Sequence, residues 1–239
     1  MRSVVIGCYV GLLMLVSLWV SWLALSRVDY GFSWFYDVAG IGAAVHKYGP
    51  QNRYKHHFEV TTREEHERLF AEIATSINNG GDGLAAIEYR RADGRPIDKL
   101  LREPEVQHLQ DVANLLDRLR VAAHISGVGA LLLLGVAAVR RWQLPGLWQL
   151  IVGALATTAV LGVTVALYGA EKLFYQWHTA VFPEGHEWFF YYQDSLMTTL
   201  MRAPVIFGYI SALLVVVALC VFLFGLWVSR VLLRRASMR

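Results

Sequence analysis

The 239-residue chain has only two cysteines, Cys8 and Cys220. Both lie inside apolar runs, which excludes a disulfide framework and a thiolate metal site. Charge is also scarce, at 17% of residues, and Lys plus Arg exceed Asp plus Glu by only three, 22 against 19. No basic face with interleaved aromatics can be drawn on a soluble fold, so nucleic acid is not an expected partner. A phosphate-cradling glycine loop is missing as well, which argues against nucleotide chemistry. With 56% hydrophobic residues the chain is too apolar for a soluble domain of this length.

Four runs have the length to cross about 30 Å of hydrocarbon as a helix: Val4 to Leu25, Val121 to Val139, Leu147 to Tyr168 and Val205 to Val228. The first reads as an uncleaved span, because its apolar part is long, its basic flank is a single Arg, and Trp19 and Trp22 suit an interfacial belt. If both termini are cytoplasmic, the inner pieces carry Arg2, Arg140, Arg141, Arg230, Arg234, Arg235 and Arg239 and no acid. That is the positive-inside pattern on short loops, where the rule holds best. It places residues 26–120 and 169–204 outside the cytoplasm.

The expected fold class is a membrane all-α four-helix bundle with a small extracytoplasmic α+β cap inserted between spans one and two. Its parts are 1–26, the first span; 27–103, the cap; and 104–239, spans two to four with extended outer helix ends and an outer loop at 169–204. Within the cap, Thr62-Arg63-Glu64-Glu65 is a capping box, and Leu69, Phe70, Ile73 and Ile77 recur on one helical face up to Asn78-Asn79-Gly80-Gly81. Lys55 to Val60 is expected as a strand, and Leu84 to Arg91 with Arg95 to Lys99 as a hairpin around Asp93-Gly94. Pro104 opens a helix whose apolar spacing runs directly into span two.

Two histidines stand out by arithmetic. His108 lies 32 positions before Arg140 and His178 lies 32 positions after Gly146. On two unbroken helices, each would stand about 48 Å from the inner turn at 1.5 Å per residue. That height is near the outer headgroup layer, where lipid ester bonds lie. Glu105, His108 and Asp111 share one helix side, as do Glu171, Tyr175 and His178. Together they supply a base, orienting carboxylates and hydrogen-bond donors. The aromatic stretch Phe182 to Tyr192, with Trp188, is expected at the interface, followed by Asp194. His56, His57 and His66 read as solvated cap residues, His46 and His186 as loop residues, and His124 as a buried, hydrogen-bonded group. Metal ranks low: no HExxH-type spacing is present.

Glu105-Val106-Gln107-His108-Leu109-Gln110-Asp111-Val112, followed by Phe174-Tyr175-Gln176-Trp177-His178-Thr179-Ala180-Val181-Phe182 and then Gly185, Trp188, Asp194 and Leu196, resembles the bacterial four-span membrane family that contains the lipoprotein intramolecular transacylases. Departures are Ala113, where the family commonly has Lys, and Met201-Arg202-Ala203-Pro204, where it tends to have Phe-Pro. The resemblance implies an enzyme of the bacterial inner membrane that moves an acyl chain within a diacylated lipoprotein, from the glyceryl moiety to the α-amine of the lipid-bearing cysteine, giving the lyso form. It maps the family's catalytic histidines onto His108 and His178.

Chemistry suits that reaction. An α-amine with a pKa of about 7.7 to 8.0 must lose a proton to attack an ester, and an imidazole near 6.5 is a competent base. His178 is then the expected base and His108 the group that stabilises the oxyanion or protonates the leaving oxygen, with Asp111 or Glu105 fixing its tautomer and the two roles open to exchange. Tyr175, Trp177, Trp188 and Asp194 complete the expected pocket. No cofactor is called for, since donor and acceptor sit on one molecule. The partners are the lipoprotein substrate and membrane lipids. Alternatives are a phospholipid acyl hydrolase or acyltransferase, and a non-enzymatic envelope protein with a partner-binding cap.

Overall fold

The computed structural model describes residues 2–237, so Arg239 of the inner-face set lies outside the described residues. Four helices are long and apolar enough to cross a membrane: α1 (Arg2–Ser26), α5 (Glu103–Val139), α6 (Leu147–Tyr168) and α9 (Val205–Ser237). Between α1 and α5 come the short α2 (Phe32–Phe35), α3 (Ile41–Tyr48), α4 (Arg63–Asn78) and the strands β1 (Glu88–Arg90) and β2 (Pro96–Lys99). Between α6 and α9 lie α7 (Ala170–Val181) and α8 (Leu196–Met201). The chain divides into two compact units.

The first unit comprises Met1–Leu23, Leu119–Ala180 and Leu214–Arg239. Its helices are apolar nearly all round, as a segment needs to be when lipid is its solvent. Ser17 and Ser21 donate to the carbonyls of Leu13 and Ser17 at 2.7 Å, and Thr157 and Thr164 do the same to Gly153 and Val160. Each hydroxyl is thereby satisfied within its own helix, at little cost in hydrocarbon. The core joins Tyr9 of α1, Ala130 and Ala137 of α5, Leu144, and Phe222, Leu226 and Leu233 of α9. Small residues let these helices approach closely. At Gly225 a Cβ would stand 3.2 Å from the Leu13 side chain.

One end of this unit gathers the arginine-bearing pieces. Arg2 donates to the Gln143 carbonyl at 2.8 Å, Gln143 donates to Ser237 Oγ at 3.1 Å, and Arg230 donates to the Pro145 carbonyl. The start of α1, the α5–α6 turn and the end of α9 are thus tied together.

The second unit comprises Ala24–Arg118 and Val181–Leu213. Thr62 caps α4 by accepting from the Glu65 N–H. The reciprocal half of the expected box is not made: the Glu65 carboxylate instead pairs with Arg68 and accepts from the Arg90 N–H. Leu69, Phe70 and Ile73 bury the predicted face, with Phe70 stacked on Phe32 at 4.2 Å. The hairpin forms around Gly94, with Glu88 opposite Lys99 and Tyr89 opposite Asp98, but it is shorter than expected because Leu84–Ala86 winds into a 3-10 turn.

Lys55 to Val60 is not a strand. Phe58–Val60 is a 3-10 turn entered through His57 at φ 63°, and the turn drives the fully buried Phe58 ring to 5.4 Å from both His66 and Tyr89. Ring burial outweighs strand propensity here.

Helix α5 is continuous over 37 residues, about 55 Å at helical rise. The third span does not run on to His178 as one helix. Gly169, at φ 98° and ψ 116°, ends α6, and α7 restarts one residue later. The equal-height arithmetic for His108 and His178 therefore loses one of its two premises.

Candidate active site

Helix α5 opens with Arg102 as its N-cap, and Glu105, three residues on, turns back to accept from the Arg102 N–H at 2.8 Å. Its other oxygen accepts from Ser195 Oγ at 2.6 Å, and Arg102 Nε lies 3.4 Å from the carboxylate. Glu105 is fully buried. A hydrogen bond to a buried charged group contributes about 1.5 to 3 kcal/mol, and losing one partner costs at least as much. Ser195, also fully buried, accepts in turn from the Thr198 N–H and so caps α8. The sequence carried a cap signal at Ser195, a serine before an apolar run, but nothing local linked it to Glu105.

Asp111 lies two helical turns beyond Glu105 and accepts from His186 Nδ1 at 2.6 Å. Both expected orienting carboxylates thus tie α5 to the return segment, Glu105 through Ser195 and Asp111 through His186. His186, read as a plain loop residue, is an element of this cluster. His108 itself is half-buried, with the Phe182 ring edge-on at 4.9 Å and the Phe190 ring at 6.1 Å.

Asp194 is ion-paired with Arg53 at 3.3 Å, while the Arg53 N–H donates to the Gln193 carbonyl. It anchors the return segment. Trp188 is half-buried, 6.2 Å and edge-on from Phe189. Ala113 is fully buried.

His178, Tyr175 and Trp177 belong to the first unit, on α7. His178 is buried, and its Nδ1–H donates to the Phe174 carbonyl at 2.7 Å. A carbonyl can only accept, so in the neutral ring the lone pair sits on Nε2. Phe174 and Trp177 contact the ring at 3.9 and 4.9 Å between centroids. Burial lowers the His178 pKa below its ordinary value, partly offset by the Phe174 bond. Tyr175 and Trp177 are exposed.

Of the remaining histidines, His56 and His57 are exposed as expected, and the others depart from expectation. His66 is buried, held by Tyr36 Oη and Thr61 Oγ1 at 2.7 Å each. His46 is on α3, and His124 is exposed while its Nδ1 donates to the Arg120 carbonyl. Among the described residues no group of three or more His, Cys, Asp or Glu is placed to hold a metal ion.

Four membrane-length helices, a small α+β portion with one two-stranded sheet and a histidine- and carboxylate-bearing cluster define a multi-pass membrane protein with enzyme-like polar groups. Residues 86–203, which hold nearly all of that cluster, match the model of the family described as lipoprotein intramolecular transacylase Lit. The matched segment, just under half of the chain, makes it similar to this family of acyltransferases. It is similar in fold to the in meso structure of the membrane integral lipoprotein intramolecular transacylase Lit from Bacillus cereus, a variant with one histidine-to-arginine substitution. The TM-score is 0.67 at 14% identity, covering 100% of this chain and 94% of the other. No curated protein matches significantly.

Proposed function

We propose that this chain moves an acyl chain within a diacylated lipoprotein, from the glyceryl moiety to the α-amine of the lipid-modified cysteine, giving the lyso form. The observation that carries the proposal is His178. Its Nδ1–H is committed to Phe174 and burial disfavours its charged form, so the neutral ring carries its lone pair on Nε2, the state a general base needs.

In the proposed step the amine nitrogen attacks the glyceryl ester carbonyl. Acidity of the amine rises as the C–N bond forms, and Nε2 of His178 takes the proton. His108 stabilises the oxyanion and returns a proton to the glyceryl oxygen as its C–O bond breaks. Phe182 and Phe190 give His108 an apolar setting, in which a polar group acts more strongly than in water. Amine and ester belong to one substrate, so the energetic problem is orientation, which exposed aromatics such as Tyr175, Trp177 and Phe189 suit by gripping acyl chains.

The product is an isomer of the substrate. Purified protein incubated with a synthetic diacylated lipopeptide should leave its mass unchanged while fragmentation moves one acyl group onto the cysteine nitrogen. Release of free fatty acid with loss of one acyl mass would instead mark a hydrolase.

The proposed orientation puts both termini in the cytoplasm of a bacterial cell and the chemistry on the outer side of its inner membrane. It is supported by the ties among Arg2, the 140–146 turn and the end of α9, which bring basic, acid-free pieces to one end of the first unit. A tag after residue 239 should resist labelling by membrane-impermeant reagents in intact spheroplasts; labelling there would reverse the topology.

A further inference from the structure

We infer that His186 and Asp111 form a positioning pair for His108, an inference that rests on the proposed role of His108 in acyl transfer. Glu105, His108 and Asp111 occupy successive turns on one side of α5. The two carboxylates hold the same return segment at two points, Asp111 through His186 and Glu105 through Ser195, each at 2.6 Å. His108 lies between the two ties.

His186 stands four residues from each of the two rings that touch His108. The segment turns tightly before it, with Gly185 at φ 83° and the His186 N–H bonded to the Pro183 carbonyl. Phe182 and Phe190, both buried, then meet the His108 ring from two directions, at interplanar angles of 69° and 56°. Fixing His186 therefore fixes both rings. An exposed ion pair would do little of this, but the Asp111 side chain is only 11% exposed and that of His186 31%. A carboxylate bond to Nδ1–H of a part-buried imidazole is directional and short, as a device that sets geometry requires.

The test uses the full-length purified protein with three variants, His186→Ala, Asp111→Ala and His186→Asn. An asparagine amide places a donor close to the position of Nδ1, whereas alanine offers none. Two readouts are taken: kcat and KM for lipopeptide isomerisation, and imidazole 15N shifts of His108 in histidine-labelled protein. His186→Ala and Asp111→Ala should lower kcat about 10- to 100-fold, the usual consequence of a misplaced group, with KM nearly unchanged and the His108 shifts moved. His186→Asn should recover most of both.

Unaltered kcat and His108 shifts in His186→Ala would overturn the inference. So would a His186→Asn variant as inactive as His186→Ala while the His108 shifts stay at wild-type values, since the imidazole would then act directly. If His186→Ala does not fold, His186→Gln, which cannot place a donor at Nδ1, takes its place. Should the wild-type chain fail to isomerise the lipopeptide while the His108 shifts still respond to His186→Ala and recover in His186→Asn, the functional reading falls and the positioning stands.

Discussion

At the scale of single residues, what decides a histidine's role is the partner of each ring nitrogen. His178 gives Nδ1–H to Phe174, His186 gives it to Asp111, and His66 is held on both sides. In the last case Thr61 already donates to the Phe58 carbonyl, so it accepts from His66 Nε2–H, which leaves Nδ1 to accept from Tyr36. Only the neutral ring satisfies both neighbours. Burial accordingly lowers the His66 pKa to about 4.

An unfolded histidine titrates near 6.5, so between the two values the unfolded chain binds more protons and stability falls as pH falls. It is fully present above about pH 6.5 and lost by about pH 4, a loss of about 3 kcal/mol from this residue. Unfolding measured at pH 7 and pH 4.5 should show a loss about 2 kcal/mol smaller in His66→Gln than in the wild type. Equal losses would refute the assignment.

Residue spacing made Glu105, His108 and Asp111 legible as neighbours on one helix side. It did not reveal their partners, because Ser195 and His186 are 90 and 75 residues away and only the fold delivers them.

Among the elements, length and apolarity identified all four membrane helices, and Thr62 and Asp93-Gly94 located α4 and the hairpin. The break at Gly169 was harder to read. Gly153 and Gly162 lie inside α6 with open space around them, and neither interrupts it. What distinguishes Gly169 is the passage from an apolar run to Glu171-Lys172, where the helix leaves its apolar surroundings.

Its backbone angles belong to a region that side chains with a Cβ rarely adopt, at a cost of about 1 to 3 kcal/mol. Gly169→Ala should therefore either destabilise the break or drive α6 and α7 toward one helix, which rotates His178. Acyl transfer should fall at least tenfold, whereas Gly162→Ala, in a helical and open position, should leave it near wild type. A Gly169→Ala protein with normal turnover and melting temperature would show that the break is dispensable.

For the molecule as a whole, charge segregation along the sequence and the physical gathering of arginine-bearing ends in the first unit point the same way. The fold class follows from four spans and one small sheet, and the likeness to the transacylase family from the match over residues 86–203. Catalysis by His108 and His178 is the claim on which the functional account depends. Fragmentation mass spectrometry of a reporter lipoprotein's N-terminal peptide, from cells carrying the wild type, His108→Ala or His178→Ala at equal folded abundance, tests it directly. The account predicts an acyl group on the cysteine nitrogen with the wild type and on the glyceryl moiety alone with either variant; N-acylated peptide from either variant at the wild-type level would contradict it.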